Sequence, residues 1–124
     1  MKHMKLKNAF YLVLVVLLAS CGSSQPAKGT VTLSYGDVSF AGGNGKNFKK
    51  AVVIKGAEST REGVDAEMYY LKAHYGERGK DWIMLSKGQQ EKDGKYYELI
   101  EIGLEGKEKS EIIYFDISGF YGKM

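Results

Sequence analysis

The chain has very little cysteine, histidine and proline. Its 124 residues include one cysteine, two histidines and one proline. A single cysteine excludes a disulfide within the chain, so hydrophobic burial must stabilise the fold. His74 is the only histidine beyond the first three residues. This scarcity excludes metal sites built from several histidines and cysteines, and catalysis by a cysteine–histidine pair. We expect no metal and no other cofactor.

The chain also lacks a hydrophobic run long enough to cross a membrane. Its most apolar segment is the eleven-residue run from Ala9 to Ala19, whereas a spanning helix needs about 20 apolar residues. Lys2, Lys5 and Lys7 precede this run. A positive segment, a short apolar run and small residues after it, in this order, predict a signal peptide rather than a transmembrane anchor.

The residues that close this segment are Leu18-Ala19-Ser20-Cys21. They resemble the lipobox of a bacterial lipoprotein signal peptide. The resemblance implies that residues 1–20 are removed and that Cys21 becomes the N-terminus, carrying fatty acyl chains such as palmitate that anchor it in a membrane. The alternative is an ordinary secretory signal, cut near Ala19, that leaves Cys21 as an unmodified thiol.

The residues after Cys21 indicate which membrane of the cell envelope the protein would be anchored in. Gly22 stands where enterobacterial lipoproteins retained at the inner membrane have Asp, which favours the outer membrane. The stretch 22–29 has no acidic residue, so it lacks the acidic tether of surface-exported lipoproteins. We therefore expect an envelope protein that faces the periplasm, with residues 21–29 as lipidated cysteine and flexible tether.

The positive charge of the chain belongs to the segment that would be removed. The net charge of +3 includes the three lysines of residues 1–20, and the remainder has 15 basic and 15 acidic residues. A neutral domain lacks the basic surface of a nucleic-acid-binding protein, so no nucleic-acid partner is expected. Residues 30–124 have the length of one small domain.

Hydrophobic periodicity predicts one helix. Ser59 and Glu62 form a capping box, and the helix is expected over Thr60–Tyr75. Gly76 follows as a C-cap. The apolar stripe is expected at Val64, Met68, Leu71 and Tyr75.

The remaining pattern predicts strands. A first strand is expected over Thr30–Tyr35, resuming at Asp37–Phe40, and a second over Lys50–Lys55. After the helix, a three-stranded meander is expected at Trp82–Gln90, Tyr96–Leu104 and Ser110–Ile117, turned by Asp93-Gly94 and Gly106. The sequence therefore predicts an α+β fold: an antiparallel sheet of order ββ-α-βββ with one amphipathic helix packed across one face.

Three segments of the domain carry a second resemblance: Ala51–Ala57, Glu62–Glu67 and Tyr114–Lys123. They are similar to segments of small bacterial envelope lipoproteins without an assigned activity. The resemblance therefore implies an envelope protein but transfers no functional residues.

Few residues offer catalytic chemistry. The glycine-rich loop Ala41–Lys46 lacks the first glycine and the Ser or Thr of a phosphate-binding loop, so we interpret it as a connection. Asp116 is the acid most suited to a raised pKa, with a turn-initiating aspartate as the alternative. Glu67 and His74 flank the expected helix stripe, together with Tyr70, and could form a polar patch.

Tyrosines provide the clearest candidate for a binding surface. Tyr97, Leu99, Ile112 and Tyr114 are expected on the sheet face turned away from the helix, unless other strands or the C-terminal tail cover them. We therefore expect a lipid-anchored, non-enzymatic module that binds or scaffolds an envelope protein or a cell-wall glycan. The alternative is a small envelope hydrolase or glycan-modifying enzyme that uses Asp116 or Glu67 with His74.

Overall fold

A computed structural model describes residues 33–124, and Leu33–Met124 form one compact unit. The predicted signal segment, Cys21 and the tether lie outside the described residues. Among the described residues, no helix is both long and apolar enough to cross a membrane. The described elements, in chain order, are β1 (Ser34–Tyr35), β2 (Val38–Gly42), β3 (Val52–Lys55), α1 (Thr60–Tyr75), β4 (Trp82–Lys92), β5 (Lys95–Leu104) and β6 (Glu111–Asp116).

The α+β class is confirmed, but the expectation of a purely antiparallel sheet with two strands before the helix is wrong. The strands lie in the order β1-β2-β3-β6-β5-β4, and β3 pairs with β6 in parallel. The expected first strand is a hairpin of β1 and β2, with Tyr35 paired to Val38.

The parallel pair follows from the connection through the helix. Strand β3 leads into α1, which returns the chain so that β4 runs in the same direction as β3. The two antiparallel reversals of the meander, from β4 to β5 and from β5 to β6, give β6 that direction again. Because β6 lies next to β3, this pair must be parallel.

Helix α1 begins and ends as the sequence predicts. The Ser59 hydroxyl accepts a hydrogen bond from the Glu62 amide at 3.1 Å. The Glu62 carboxylate accepts from the Glu58 amide at 2.8 Å, one residue before the position that a capping box uses. The helix ends at Gly76, whose amide donates to the Lys72 carbonyl.

The buried face of α1 differs from the predicted stripe. Leu71 is fully buried as expected, but Val64, Met68 and Tyr75 are only half-buried. The predicted stripe assumed that the most apolar line of the helix faces the sheet, whereas small and polar residues occupy the centre of the interface. The residues buried on this helix are Gly63, Ala66, Glu67, Tyr70 and Leu71.

The core lies between α1 and one face of the sheet, which we call the inner face. Strand β5 contributes Ile100 and Ile102, and β6 contributes Ile113 and Phe115, all buried as their alternation predicts. Phe120, beyond β6, completes the core beside the helix. The opposite face of β4, β5 and β6 is called the outer face.

Gly63 is explained by the packing of Phe120. A Cβ at position 63 would lie 2.3–2.4 Å from three atoms of the Phe120 ring. Glycine in a helix interior costs up to about 1 kcal/mol relative to alanine. Glycine is nevertheless required here because the ring of Phe120 occupies the space that a side chain at position 63 would need.

We expect Gly63→Ala to destabilise the domain by about 1–3 kcal/mol, as overpacking of a core does, although alanine favours a helix. Chemical denaturation measures the effect. Gly88→Ala in β4 is the matched control, since a Cβ at that position would have no neighbouring atom within 4 Å. This variant should be as stable as the parent. A Gly63→Ala variant as stable as the parent would show that Phe120 does not fix this position.

Candidate functional site

The structure brings the four residues of the predicted tyrosine patch together. Leu99 on β5 pairs with Tyr114 on β6. Tyr97 and Ile112 each lie two residues along the same strands, so all four residues share the outer face.

Half of this patch is covered, and the segment that covers it was not expected. The ring of Phe48 lies 4.9 Å from Tyr97 and 4.8 Å from Tyr114, edge-on to both. Phe48 belongs to the loop between β2 and β3, two residues beyond the glycine-rich segment. Tyr97 is only 7% exposed. The Tyr114 amide also donates to the Gly45 carbonyl at 2.8 Å, which fixes the loop against β6. The loop is therefore part of the outer face and more than a connection.

The exposed part of the outer face is aliphatic. Ile83, Leu85 and Ile112 are 53%, 50% and 42% exposed, and we call these three residues the aliphatic surface. Ile83 pairs with Gly103 on β5, which has no side chain to cover its neighbours. Ile112 lies on the other side of β5, opposite Glu101.

Glu101 forms a polar group within the aliphatic surface. Its Oε1 accepts a hydrogen bond from Ser86 at 3.2 Å, and its Oε2 accepts from Ser110 at 2.6 Å. Serines on both sides therefore hold the carboxylate in one orientation. Each oxygen retains a lone pair for a further donor.

A second unusual group is the buried acid pair Glu67 and Glu98. Glu67 on α1 is fully buried, and Glu98 on the inner face of β5 is 3% exposed. Among the described residues, no donor gives a hydrogen bond to either carboxyl oxygen of Glu67. Lys87 on β4 reaches Glu98, with Nζ 3.9 Å from Oε2. The pair thus has one cation for two acids.

The pKa of Glu67 is raised from 4.5 to about 9, and burial is the largest cause. The negative charge of Glu98 and its capacity to accept a hydrogen bond from protonated Glu67 add to this rise, and Lys87 opposes it. At neutral pH Glu67 is therefore a neutral acid that can donate to Glu98. Glu98 keeps its ion pair with Lys87, and the charges balance without an unpaired buried carboxylate.

The acids and the histidine considered for catalysis do not form one group. Glu67 is buried, whereas His74 is exposed on the same helix, seven residues or about 10 Å along its axis. The His74 ring stacks on Tyr70 at 4.0 Å, and burial raises the pKa of that tyrosine. Asp116 accepts a hydrogen bond from the Ser118 amide at 3.0 Å, the arrangement of a turn-initiating aspartate.

Sequence reasoning missed Phe48, Ile83 and Leu85. The segment Trp82–Leu85 is apolar at four consecutive positions, so alternation could not tell which pair faces the core. Trp82 and Met84 do, which leaves Ile83 and Leu85 outside. Phe48 gave a weaker signal, since it is a lone aromatic residue in the loop between β2 and β3.

Comparison with known proteins gives no family for this chain: no family model, no curated protein and no solved structure matches it. Within residues 33–124, no three histidine, cysteine or acidic residues are grouped in a way that could hold a metal ion.

Proposed function

We propose that this protein is a lipid-anchored, non-enzymatic module of the bacterial cell envelope that binds a partner protein through the outer face of its sheet. The aliphatic surface is the single observation that carries this proposal. Apolar side chains exposed together on one face mark an interaction site more often than singly scattered ones do.

The chemistry of this surface favours a protein over a glycan. Sugars pack against flat aromatic rings, but Tyr97 and Tyr114 are engaged by Phe48. Ile83, Leu85 and Ile112 offer aliphatic contact area instead, which suits apolar side chains of a partner. Glu101, held by Ser86 and Ser110, would accept a hydrogen bond from a lysine or arginine of that partner. The expected partner therefore presents a basic residue among apolar ones.

The docking proposal can be tested by site-specific photo-crosslinking in the cells that produce the protein. A photoreactive phenylalanine analogue at Leu85 or at Ile112 should give adducts of the same mass. The same analogue at Lys72, exposed on α1, should give none. Adding Glu101→Gln to the protein with the analogue at Ile112 should reduce the amount of adduct about tenfold, because loss of a charged hydrogen bond weakens binding by about that factor. Equal labelling from all three positions would reject the docking surface.

Membrane anchoring follows from the lipobox resemblance and requires acylation of Cys21. We expect metabolic labelling with a fatty-acid probe to mark the parent protein and not the Cys21→Ala variant, which should accumulate as unprocessed precursor. Ser23→Ala, two residues on, is the control and should be labelled normally. Labelling of Cys21→Ala at the parent level would contradict the anchor.

A further inference from the structure

A cleft at one end of the outer face is distinct from the aliphatic surface. It lies where the hairpin of β4 and β5 meets the loop between β2 and β3, and its volume is about 410 Å³. That volume is within the range of roughly 300–1,000 Å³ common for small-ligand sites. We call it the lysine cleft; its lining residues are Phe48, Lys49, Lys92, Asp93, Lys95 and Tyr97.

The aromatic wall of the lysine cleft is held in place. The two edge-on contacts of Phe48 with Tyr97 and Tyr114 fix the ring against the sheet. The loop that carries Phe48 is itself braced, since the Lys50 amide donates to the Asn47 side chain at 2.8 Å. Phe48 is half-buried, so part of its ring stays available to a ligand.

The lysine cleft is positively charged, although the chain after residue 20 is neutral as a whole. Lys92 forms an ion pair with Asp93 at 3.2 Å and lies over the Phe48 ring, 5.6 Å from its centroid. Lys49 and Lys95 form no ion pair with any of the residues 33–124. Two lysines without an acidic partner therefore stand beside an aromatic wall.

We propose that the lysine cleft binds a sugar ring that carries a carboxylate or a phosphate, as part of an acidic saccharide. The anionic group would accept hydrogen bonds from Lys49 and Lys95, and the apolar C–H face of the ring would pack against Phe48. This site does not depend on the docking of a protein at the aliphatic surface. The acidic saccharide could be a polysaccharide segment or the headgroup of a glycolipid.

The test is a calorimetric titration of the full-length protein in a neutral detergent. The probes are trigalacturonate, its uncharged methyl ester, and glucose 6-phosphate beside glucose. We expect saturable binding of at least one acidic probe, and binding of its neutral counterpart at least about tenfold weaker, because a charged hydrogen bond is lost.

Variants locate the binding. The double variant Lys49→Gln with Lys95→Gln should bind the acidic probe at least about tenfold more weakly than the parent. Phe48→Leu should weaken the same binding about three- to tenfold. Lys107→Gln with Lys109→Gln, in the exposed β5–β6 turn, is the matched control and should bind like the parent. Thermal melts verify that all variants remain folded.

Three results would overturn the proposal. The first is that neither acidic probe binds at a concentration of about 10 mM, because a dissociation constant above that value is too weak for specific recognition. The second is an equal loss in the control pair, which would indicate general charge attraction. The third is equal binding of glycerol 3-phosphate and glucose 6-phosphate, both lost in the Lys49→Gln and Lys95→Gln variant, which would show that the lysines bind phosphate without a sugar. Binding of glucuronosyl glycerol, a soluble glycolipid headgroup, that is lost in the same variant would support the glycolipid source.

Discussion

The stability of the domain should fall as the pH rises from about 5 to 9, and Glu67→Gln should remove most of this fall. In the folded protein the pKa of Glu67 is about 9, against an ordinary value of 4.5. Between these values the folded protein holds a proton that the unfolded chain releases. Raising the pH therefore favours unfolding, at a slope of up to about 1.4 kcal/mol per pH unit. Below 4.5 Glu67 is protonated in both states, and above about 9 it is ionised in both, so its contribution to the slope ends.

Glutamine has nearly the same shape as protonated glutamate and stays neutral at every pH. Glu67→Gln should therefore be the more stable protein at pH 8, by about 1–3 kcal/mol. Guanidinium chloride titrations at several pH values measure this difference. Glu91→Gln, at an exposed position of β4, is the control and should keep the parent slope. Parallel pH profiles for the parent and Glu67→Gln would show that Glu67 is not held protonated.

Leu71→Ala should cost about 2–5 kcal/mol, the range for deletion of a buried leucine. Leu71 is fully buried in the core between α1 and the inner face. Its removal would leave a cavity at the one helix position that both the predicted stripe and the observed face contain. In a domain of about 5–15 kcal/mol total stability, the melting temperature should fall visibly.

The adjacent residue provides the control for Leu71. Lys72 is exposed on the same helix, about 100° around its axis. Lys72→Ala should change the free energy of unfolding by no more than about 0.5 kcal/mol, as surface substitutions usually do. If chemical denaturation showed equally small losses of stability for both variants, α1 would not be docked on the sheet. The distinction between inner and outer face would then fail.

The helix shows how far local signals reach. Its bounds were predictable because Ser59, Glu62 and Gly76 act on the backbone within a few residues of themselves. Its orientation was not, because hydrophobicity ranks Met68 and Tyr75 above Gly63 and Glu67. Phe120 requires the absence of a side chain at position 63, and it lies far along the chain. This contact places Gly63 in the buried interface, where hydrophobicity alone would not put it.

The candidate site was predictable in part for the same reason. Strand alternation placed Tyr97, Leu99, Ile112 and Tyr114 on one face, since residues two apart share a side. It could not show that Phe48 covers the tyrosine half, because the contact joins a loop to strands about fifty residues away. The exposed centre of the face consequently lies nearer to Ile83 and Leu85.

By itself the sequence determined the α+β class, the ends of the helix, the Asp93-Gly94 hairpin and the alternation of β5 and β6. Each of these depends on backbone geometry and on side chains that are only a few residues apart in the chain. Only the tertiary structure decided the parallel pairing of β3 with β6, the burial of Glu67 beside Glu98, and the side of β4 left exposed. These features depend on which distant segments meet, and burial then sets the protonation of Glu67 and the accessibility of the outer face.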